Sequence, residues 1–91
     1  MKFDNLIKQA KQENAVILDV RTPQEYKQGH VPGSINTPLD RLTGEKLDKS
    51  KKFFVYCHSG ARSASACKIL TKNGYNAINI GGILSYKGEL E

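Results

Sequence analysis

The chain has 91 residues, a length that allows one hydrophobic core and predicts one domain over residues 1–91. Its 38% hydrophobic and 25% charged residues exclude a disordered chain, and the absence of any apolar run near ~18 residues excludes a membrane-spanning helix. The formal net charge is +5, but the densest basic cluster, at 49–52, has no interleaved aromatic side chains, so the expected partners are small anions and not nucleic acid.

The first third of the chain predicts a helix, a buried strand and a second helix. Apolar residues recur at helical spacing over 3–10, with Asp4 as the expected N-cap. The short apolar run 15–20 is typical of a strand buried on both faces of a parallel sheet. Thr22-Pro23-Gln24-Glu25 is a capping box with proline at the first helical position, and Gly29 follows the expected helix end.

The rest of the chain predicts a turn over 30–33, a brief strand over 34–36 and short helical turns over 38–42 and 45–48. A strong strand over 53–57, a helix over 64–73 and a strand over 76–80 follow, and a last helical turn comes after Gly81-Gly82. Strands that alternate with helices indicate an α/β domain with a mainly parallel sheet. Ligands of such folds bind at the carboxyl ends of the strands, where Cys57 and Arg21 both fall.

The loop between the strong strand and its helix carries the candidate chemistry. Its residues are Cys57, His58, Ser59, Gly60, Ala61, Arg62 and Ser63. Backbone N–H groups in such a loop and in the first helical turn lack internal partners and converge on a point that favours negative charge. A thiol placed there, beside Arg62, should ionise below its usual pKa of ~8.5 and act as a nucleophile. We therefore expect Cys57 to be catalytic.

Four segments together resemble the rhodanese-like sulfurtransferases. They are the Cys57-x-x-Gly60-x-Arg62 loop and the stretches 18–26, 29–36 and 81–83. The resemblance implies a three-layer sandwich in which a mainly parallel sheet of four or five short strands has helices on both faces. One departure is Tyr86, which stands where the family often has tryptophan.

The resemblance also implies the reaction. Cys57 would take a sulfane sulfur from a small anionic donor, thiosulfate or a persulfide, and hold it as a persulfide in the cradle of loop residues 58–63. It would then pass the sulfur to a thiol, a dithiol or a redox-protein acceptor. No cofactor is implied.

The remaining polar candidates have structural interpretations. Asp19 and Arg21 are expected to support the rim of the site through a salt bridge or hydrogen bonds to the loop. His30 is expected to be a turn histidine, and Cys67, within the helix, is expected to pack in the core. The spacing of the two cysteines and two histidines does not fit a metal site. Two cysteines without a secretory signal also fit a reduced compartment, so a cytoplasmic location is expected.

Two other functions compete with sulfur transfer. A phosphatase or arsenate reductase of related fold would also use a cysteine and an arginine around an anion-binding loop. Such loops carry five residues between the two, whereas this one carries four, which favours a single sulfur atom over a tetrahedral oxyanion. The second competitor is a non-catalytic sulfur carrier or sensor, although such modules usually lack the cysteine that this chain has.

Overall fold

The computed structural model describes residues 2–91. Seven regular elements follow one another as α1 (Lys2–Gln12), β1 (Val16–Asp19), α2 (Pro23–Gln28), β2 (Ile35–Asn36), β3 (Lys52–Cys57), α3 (Ala61–Lys72) and β4 (Asn76–Gly82). Two 3₁₀ helices complete the chain, Leu39–Gly44 and Ile83–Ser85. Among the described residues, the helices are too short or too polar to cross a bilayer.

The four strands form one parallel sheet in the order β2-β1-β3-β4. β1 and β3 occupy the centre, so their residues are covered on both faces, as their continuous apolar runs predict. All four strands point the same way, and therefore their carboxyl ends lie along one edge of the sheet. The last residue of β3 is Cys57, which places its thiol at that edge.

Helices cover both faces of the sheet and divide the core into two layers. One layer joins Phe3, Ile7 and Ala10 of α1 to Phe54 and Tyr56 of β3. The other layer joins Ala66 and Leu70 of α3 to alternate residues of the same strand, Phe53, Val55 and Cys57. Alternation along β3 thus points Cys57 towards α3. The expected α/β sandwich with helices on both faces is confirmed.

The local expectations hold in part. The capping box is present, with the Glu25 amide bonded to the Thr22 hydroxyl, and α2 ends at Gly29 as expected. The Asp4 cap is wrong, because Asp4 lies inside α1 and its carboxylate accepts from the Lys87 backbone N–H at 3.1 Å. Residues 45–48 form no helical turn, and α3 begins at residue 61, ahead of the expected 64, since its first turn carries little apolar signal.

A β-bulge interrupts the pairing of β4 with β3. Val55 pairs with Asn79, but the next residue, Tyr56, pairs with Gly81, which leaves Ile80 as the extra residue. A bulge bends its strand and changes the direction of the following residues. Here the bend carries Gly81 and Gly82 against the loop that follows Cys57, and β4 extends two residues beyond the expected strand.

Candidate active site

Cys57 ends β3, and the chain then turns sharply into α3. The turn is made by His58, Ser59 and Gly60, and Gly60 adopts a left-handed conformation with a φ of 109°, which glycine reaches without the steric cost of a Cβ. Helix α3 begins at the next residue. The cysteine sulfur is thereby placed at the amino terminus of a 12-residue helix, where the helix dipole favours negative charge.

Polar groups surround the Cys57 sulfur. The Gly60 N–H donates to Sγ at 3.0 Å, and the Ser63 Oγ lies 3.5 Å from Sγ. The residue is only 1% exposed, and burial by itself raises the pKa of the thiol. The backbone amides of Ser63, Gly60 and Ser59, together with the Ser63 hydroxyl when its proton points at Sγ, outweigh burial, so the pKa of Cys57 lies below its ordinary value. The arrangement can stabilise a thiolate.

Asn79 completes the site from β4, although no local sequence pattern marks it as a site residue. Its Oδ1 accepts from the Ser63 hydroxyl at 2.6 Å and from the Gly81 N–H at 3.0 Å. Its Nδ2 donates to the Gly60 carbonyl at 3.2 Å. One side chain therefore ties the loop, the first turn of α3 and the bulge together. In the sequence, a polar residue within an alternating strand looks like an ordinary outward-facing position.

Gly82 allows the loop to lie directly on β4. A Cβ at this position would come within 2.6 Å of the Ser59 Cα and would also overlap the His58 backbone. Only a residue without a side chain permits this close approach. The sequence shows the Gly81-Gly82 pair only as part of a family resemblance, but Gly82 has this steric reason and Gly81, with a φ of 108°, has a conformational one.

Arg62 points to α2 and forms a two-pronged ion pair with Glu25. Its Nη1 donates to Glu25 Oε1 at 2.6 Å, and its Nη2 donates to Oε2 at 2.9 Å. The Arg62 hydrogen bonds are the main reason that the pKa of Glu25 is lowered to about 2. A cation in the first turn of a helix opposes the helix dipole and needs a counter-charge, and Glu25 supplies it. Nothing in the local sequence spacing reveals this partner.

Asp19 and Arg21 form a buried ion pair at the carboxyl end of β1. Arg21 Nη2 donates to Asp19 Oδ2 at 2.7 Å, and its other hydrogen bond reaches the Gly29 carbonyl at 2.8 Å. The two side chains are 6% and 0% exposed. Because the two charges are paired and hydrogen-bonded, their mutual attraction offsets the desolvation penalty of burying them. The pair links β1 to the end of α2, next to the Cys57 loop.

The other loop residues face outward. His58, Ser59 and Ala61 are exposed, whereas Ser63 is buried. Two open grooves adjoin the loop: one of about 460 Å³ has His58, Glu25 and Leu84 in its wall, and one of about 390 Å³ has Arg62 in its wall. The Arg62–Glu25 pair thus contributes one member to each groove, and a small molecule can approach the loop from either side of the pair.

The other histidine and cysteine lie outside this arrangement. The His30 ring stacks on Tyr26 with centroids 3.7 Å apart, and its Nδ1 lies 2.9 Å from the Tyr26 carbonyl, as expected for a turn histidine. Cys67 is a free, half-buried cysteine packed beside the α3 core layer, and burial raises the pKa of its thiol to about 11. Within residues 2–91, His, Cys, Asp and Glu side chains do not gather into a cluster of three that could hold a metal ion.

The fold and the site define a class of α/β domains in which a cysteine lies in an amide-lined loop at the carboxyl end of a central strand. The family model of the Rhodanese-like domain matches residues 2–89, and the chain belongs to this family. The resemblance seen in its motifs is confirmed.

Named relatives and a solved structure agree with this assignment. The chain is 41% identical over 71 residues to the thiosulfate sulfurtransferase PspE of Escherichia coli, covering 72% of this chain and 68% of that protein. It is 35% identical over 78 residues to a sulfurtransferase of Allochromatium vinosum, covering 81% and 73%. The crystal structure of a rhodanese-like domain protein from Staphylococcus aureus superposes with a TM-score of 0.85 at 29% identity, covering 97% and 92%.

Proposed function

We propose that this protein is a sulfurtransferase that carries sulfane sulfur on Cys57, with thiosulfate or a persulfide as donor and a thiol or dithiol as acceptor. The observation that carries the proposal is the environment of the Cys57 sulfur, which receives the Gly60 N–H at 3.0 Å at the start of α3. The sequence similarity to named sulfurtransferases supports sulfur transfer as the class of reaction. The donor, the acceptor and the roles of individual residues are our inference.

In the first step, the Cys57 thiolate attacks the outer sulfur of thiosulfate. A bond forms between Sγ and that sulfur while the sulfur–sulfur bond of thiosulfate breaks, and sulfite leaves with the bonding electron pair. Cys57 then bears a persulfide whose outer sulfur is anionic. Backbone amides of the loop 58–63 and the amino terminus of α3 are suited to hold that charge.

In the second step, a thiolate acceptor attacks the outer sulfur and leaves Cys57 as a thiolate again. No electrons are gained or lost overall, so the cycle needs no redox cofactor. His58, exposed beside the larger groove, lies where an acceptor would approach. Asp19 and Arg21, both buried, serve by holding β1 and the end of α2 in place beside the loop.

The loop size argues for sulfur over phosphorus chemistry. Four residues separate Cys57 from Arg62, and both terminal nitrogens of Arg62 are already engaged by Glu25. A phosphoryl group would need donors for three equatorial oxygens. We therefore expect no hydrolysis of aryl phosphates and no arsenate reduction by the unaltered protein.

Intact mass after exposure to thiosulfate tests the proposal directly. The protein should gain the mass of one sulfur atom at Cys57, and cyanide or a dithiol should remove it, because Cys57 has the lowered pKa and Cys67 does not. Cys57→Ser should gain nothing, and Cys67→Ala should gain the same single sulfur as the parent. A sulfur that maps to Cys67, or phosphatase turnover abolished by Cys57→Ser, would falsify the proposal.

A further inference from the structure

The hydroxyl of Ser63 has one proton and several neighbours that could accept it. Asn79 Oδ1 lies at 2.6 Å and the Gly60 carbonyl at 3.0 Å, while the Gly81 carbonyl and the Cys57 sulfur both lie at 3.5 Å. A serine hydroxyl donates one hydrogen bond and accepts others. Ser63 can lower the pKa of Cys57 only when its proton points at the sulfur, so the acceptor that holds this proton matters for the reactivity of the thiol.

The backbone around Asn79 fixes the orientation of its amide. The Gly81 N–H lies 3.0 Å from Oδ1 of Asn79 and needs an acceptor there. The Gly60 carbonyl lies 3.2 Å from Nδ2 of Asn79 and needs a donor there. Turning the amide over would place an NH₂ against the Gly81 N–H and an oxygen against the Gly60 oxygen, and both contacts would be repulsive. Oδ1 therefore faces Ser63, and the 2.6 Å bond must use the serine proton.

The other short acceptor is already satisfied. The Gly60 carbonyl receives the Ala64 N–H at 3.1 Å as well as the Asn79 amide, which occupies both of its lone pairs. Oδ1 of Asn79 is likewise filled by the Gly81 N–H and the Ser63 hydroxyl. With the Ser63 proton on Asn79, the Cys57 S–H can donate to the Ser63 oxygen but receives no proton from it.

We propose that Asn79 is a positioning residue of the active site: it holds the proton of the Ser63 hydroxyl away from Cys57 and so keeps the cysteine protonated to a higher pH than the loop alone would. Stabilisation of the Cys57 thiolate by Ser63 then requires the serine proton to swing from Asn79 towards the sulfur, and Asn79 sets the cost of that swing. The side chain acts through Ser63 and touches no reacting atom.

Most charged groups near the loop are paired with one another. Arg62 of α3 favours the thiolate by its charge, but Glu25 of α2 neutralises it at 2.6 Å. Asp19 and Arg21 of β1 neutralise each other at 2.7 Å, and His58 follows the cysteine directly and faces solvent. Asn79 acts on the pKa of Cys57 through the neutral hydroxyl of Ser63. Its effect should therefore depend on Ser63, which distinguishes it from the effects of these charged groups.

The test is the pH at which the Cys57 thiolate forms, followed by its ultraviolet absorbance. Each variant is measured against its own Cys57→Ser counterpart, so that Cys67 and the tyrosines cancel. Asn79→Leu removes the acceptor of the Ser63 proton and also frees one lone pair of the Gly60 carbonyl oxygen. A hydrogen bond to a charged acceptor is stronger than one to a neutral carbonyl, so the Ser63 proton should turn to the thiolate. The pKa of Cys57 should then fall by about one unit.

A double-mutant cycle shows whether Ser63 carries the effect. In a Ser63→Ala background, Asn79→Leu should leave the pKa of Cys57 unchanged, because no hydroxyl proton remains to redirect. Asn76→Leu, at the opposite end of β4, is the matched control and should have no effect. An unshifted pKa in Asn79→Leu, or an equal shift with and without Ser63, overturns the proposal.

Asn79→Asp provides a second variant of nearly the same size, in case the leucine variant does not fold. The carboxylate accepts the serine proton more strongly and also acts on the thiolate by its charge, so the pKa of Cys57 should rise by about one unit, and by less in a Ser63→Ala background. A fall, or an equal rise with and without Ser63, would contradict the proposal. The proposal depends on the proposed function only for its effect on turnover, since the absorbance titration reports thiol ionisation whether or not sulfur is transferred.

Discussion

Arg62 is the residue whose role changes most once its contacts are known. In the sequence, a cation in the first turn of the helix is expected to need a compensating partner or an anion, and the structure shows the partner, because both oxygens of Glu25 hold the guanidinium. Glu25 in turn accepts from the Thr22 backbone N–H at 3.0 Å, so the capping box of α2 also orients the partner of Arg62. A thiosulfate dianion that uses Arg62 must compete with this carboxylate.

Opposite effects on donor affinity are therefore expected from the two members of the pair. Glu25→Gln preserves the capping box, which accepts glutamine, and releases the Arg62 charge, so the KM for thiosulfate should fall. Arg62→Ala should raise it. Each change should be about fivefold, the equivalent of ~1 kcal/mol for a partly exposed charge pair.

Steady-state kinetics with thiosulfate measure these changes. Lys68→Ala, which removes the same charge from an exposed position of α3, is the control and should leave KM unchanged. If both members of the pair shift KM in the same direction, the pair only clamps α2 to the loop and does not compete with the donor.

At the scale of elements, the close contact between β4 and the active-site loop depends on one glycine. Gly82→Ala would force the loop and the strand apart, since its Cβ would meet the Ser59 Cα at 2.6 Å. Overpacking of this kind costs ~1–3 kcal/mol, so Tm should fall by about 5 °C or more. Thiosulfate turnover should fall as well, because the amides around the sulfur move with the loop.

Gly44→Ala is the matched control for this prediction. A Cβ at Gly44 meets no atom within 4 Å, and Gly44, like Gly82, lacks a positive φ. Calorimetry and a thiosulfate assay should show Gly44→Ala close to the parent. A Gly82→Ala protein as stable and active as the Gly44→Ala protein would mean that the loop adapts without cost.

The elements themselves could be predicted because their patterns are local. The apolar run of β1, the alternation in β4 and the capping box of α2 each lie within a few neighbouring residues. The bulge at Ile80 could not be predicted, since it depends on how β4 pairs with Val55 and Tyr56. Arg62–Glu25 and Ser63–Asn79 join residues that are distant in the chain and meet only in the folded protein. The cysteine loop was visible as a motif, while its supporting contacts were not.

At the scale of the whole molecule, the Arg62–Glu25 ion pair makes the folding stability depend on pH. Its folded pKa, about 2, lies below the ordinary value of 4.5, so the folded state binds this proton less readily than the unfolded state does. The resulting stability is fully present above pH ~4.5 and is lost as the pH falls towards ~2. The pair is about one-third exposed, which limits its contribution to less than ~1 kcal/mol.

Thermal unfolding at a series of pH values checks this dependence. Near neutral pH, the Tm of the parent should be a few degrees higher than that of Glu25→Gln. The plots of Tm against pH for the two proteins should converge between pH ~4.5 and ~2. Glu45→Gln, an exposed carboxylate at the end of the first 3₁₀ helix, serves as the charge-matched control. A Tm difference between parent and Glu25→Gln that persists unchanged to pH ~2 would contradict the assignment.

The site draws its nucleophile from β3 but its supporting side chain, Asn79, and its close-packed glycine, Gly82, from β4. A ribosome makes the chain from its amino terminus, so Cys57 emerges before the residues that complete its surroundings. Until β4 has paired with β3, the loop has no strand to rest on, and Asn79 does not yet hold the Ser63 proton. The surroundings of Cys57 are therefore completed by the last strand to leave the ribosome, so the ionisation of this thiol reports on completed folding.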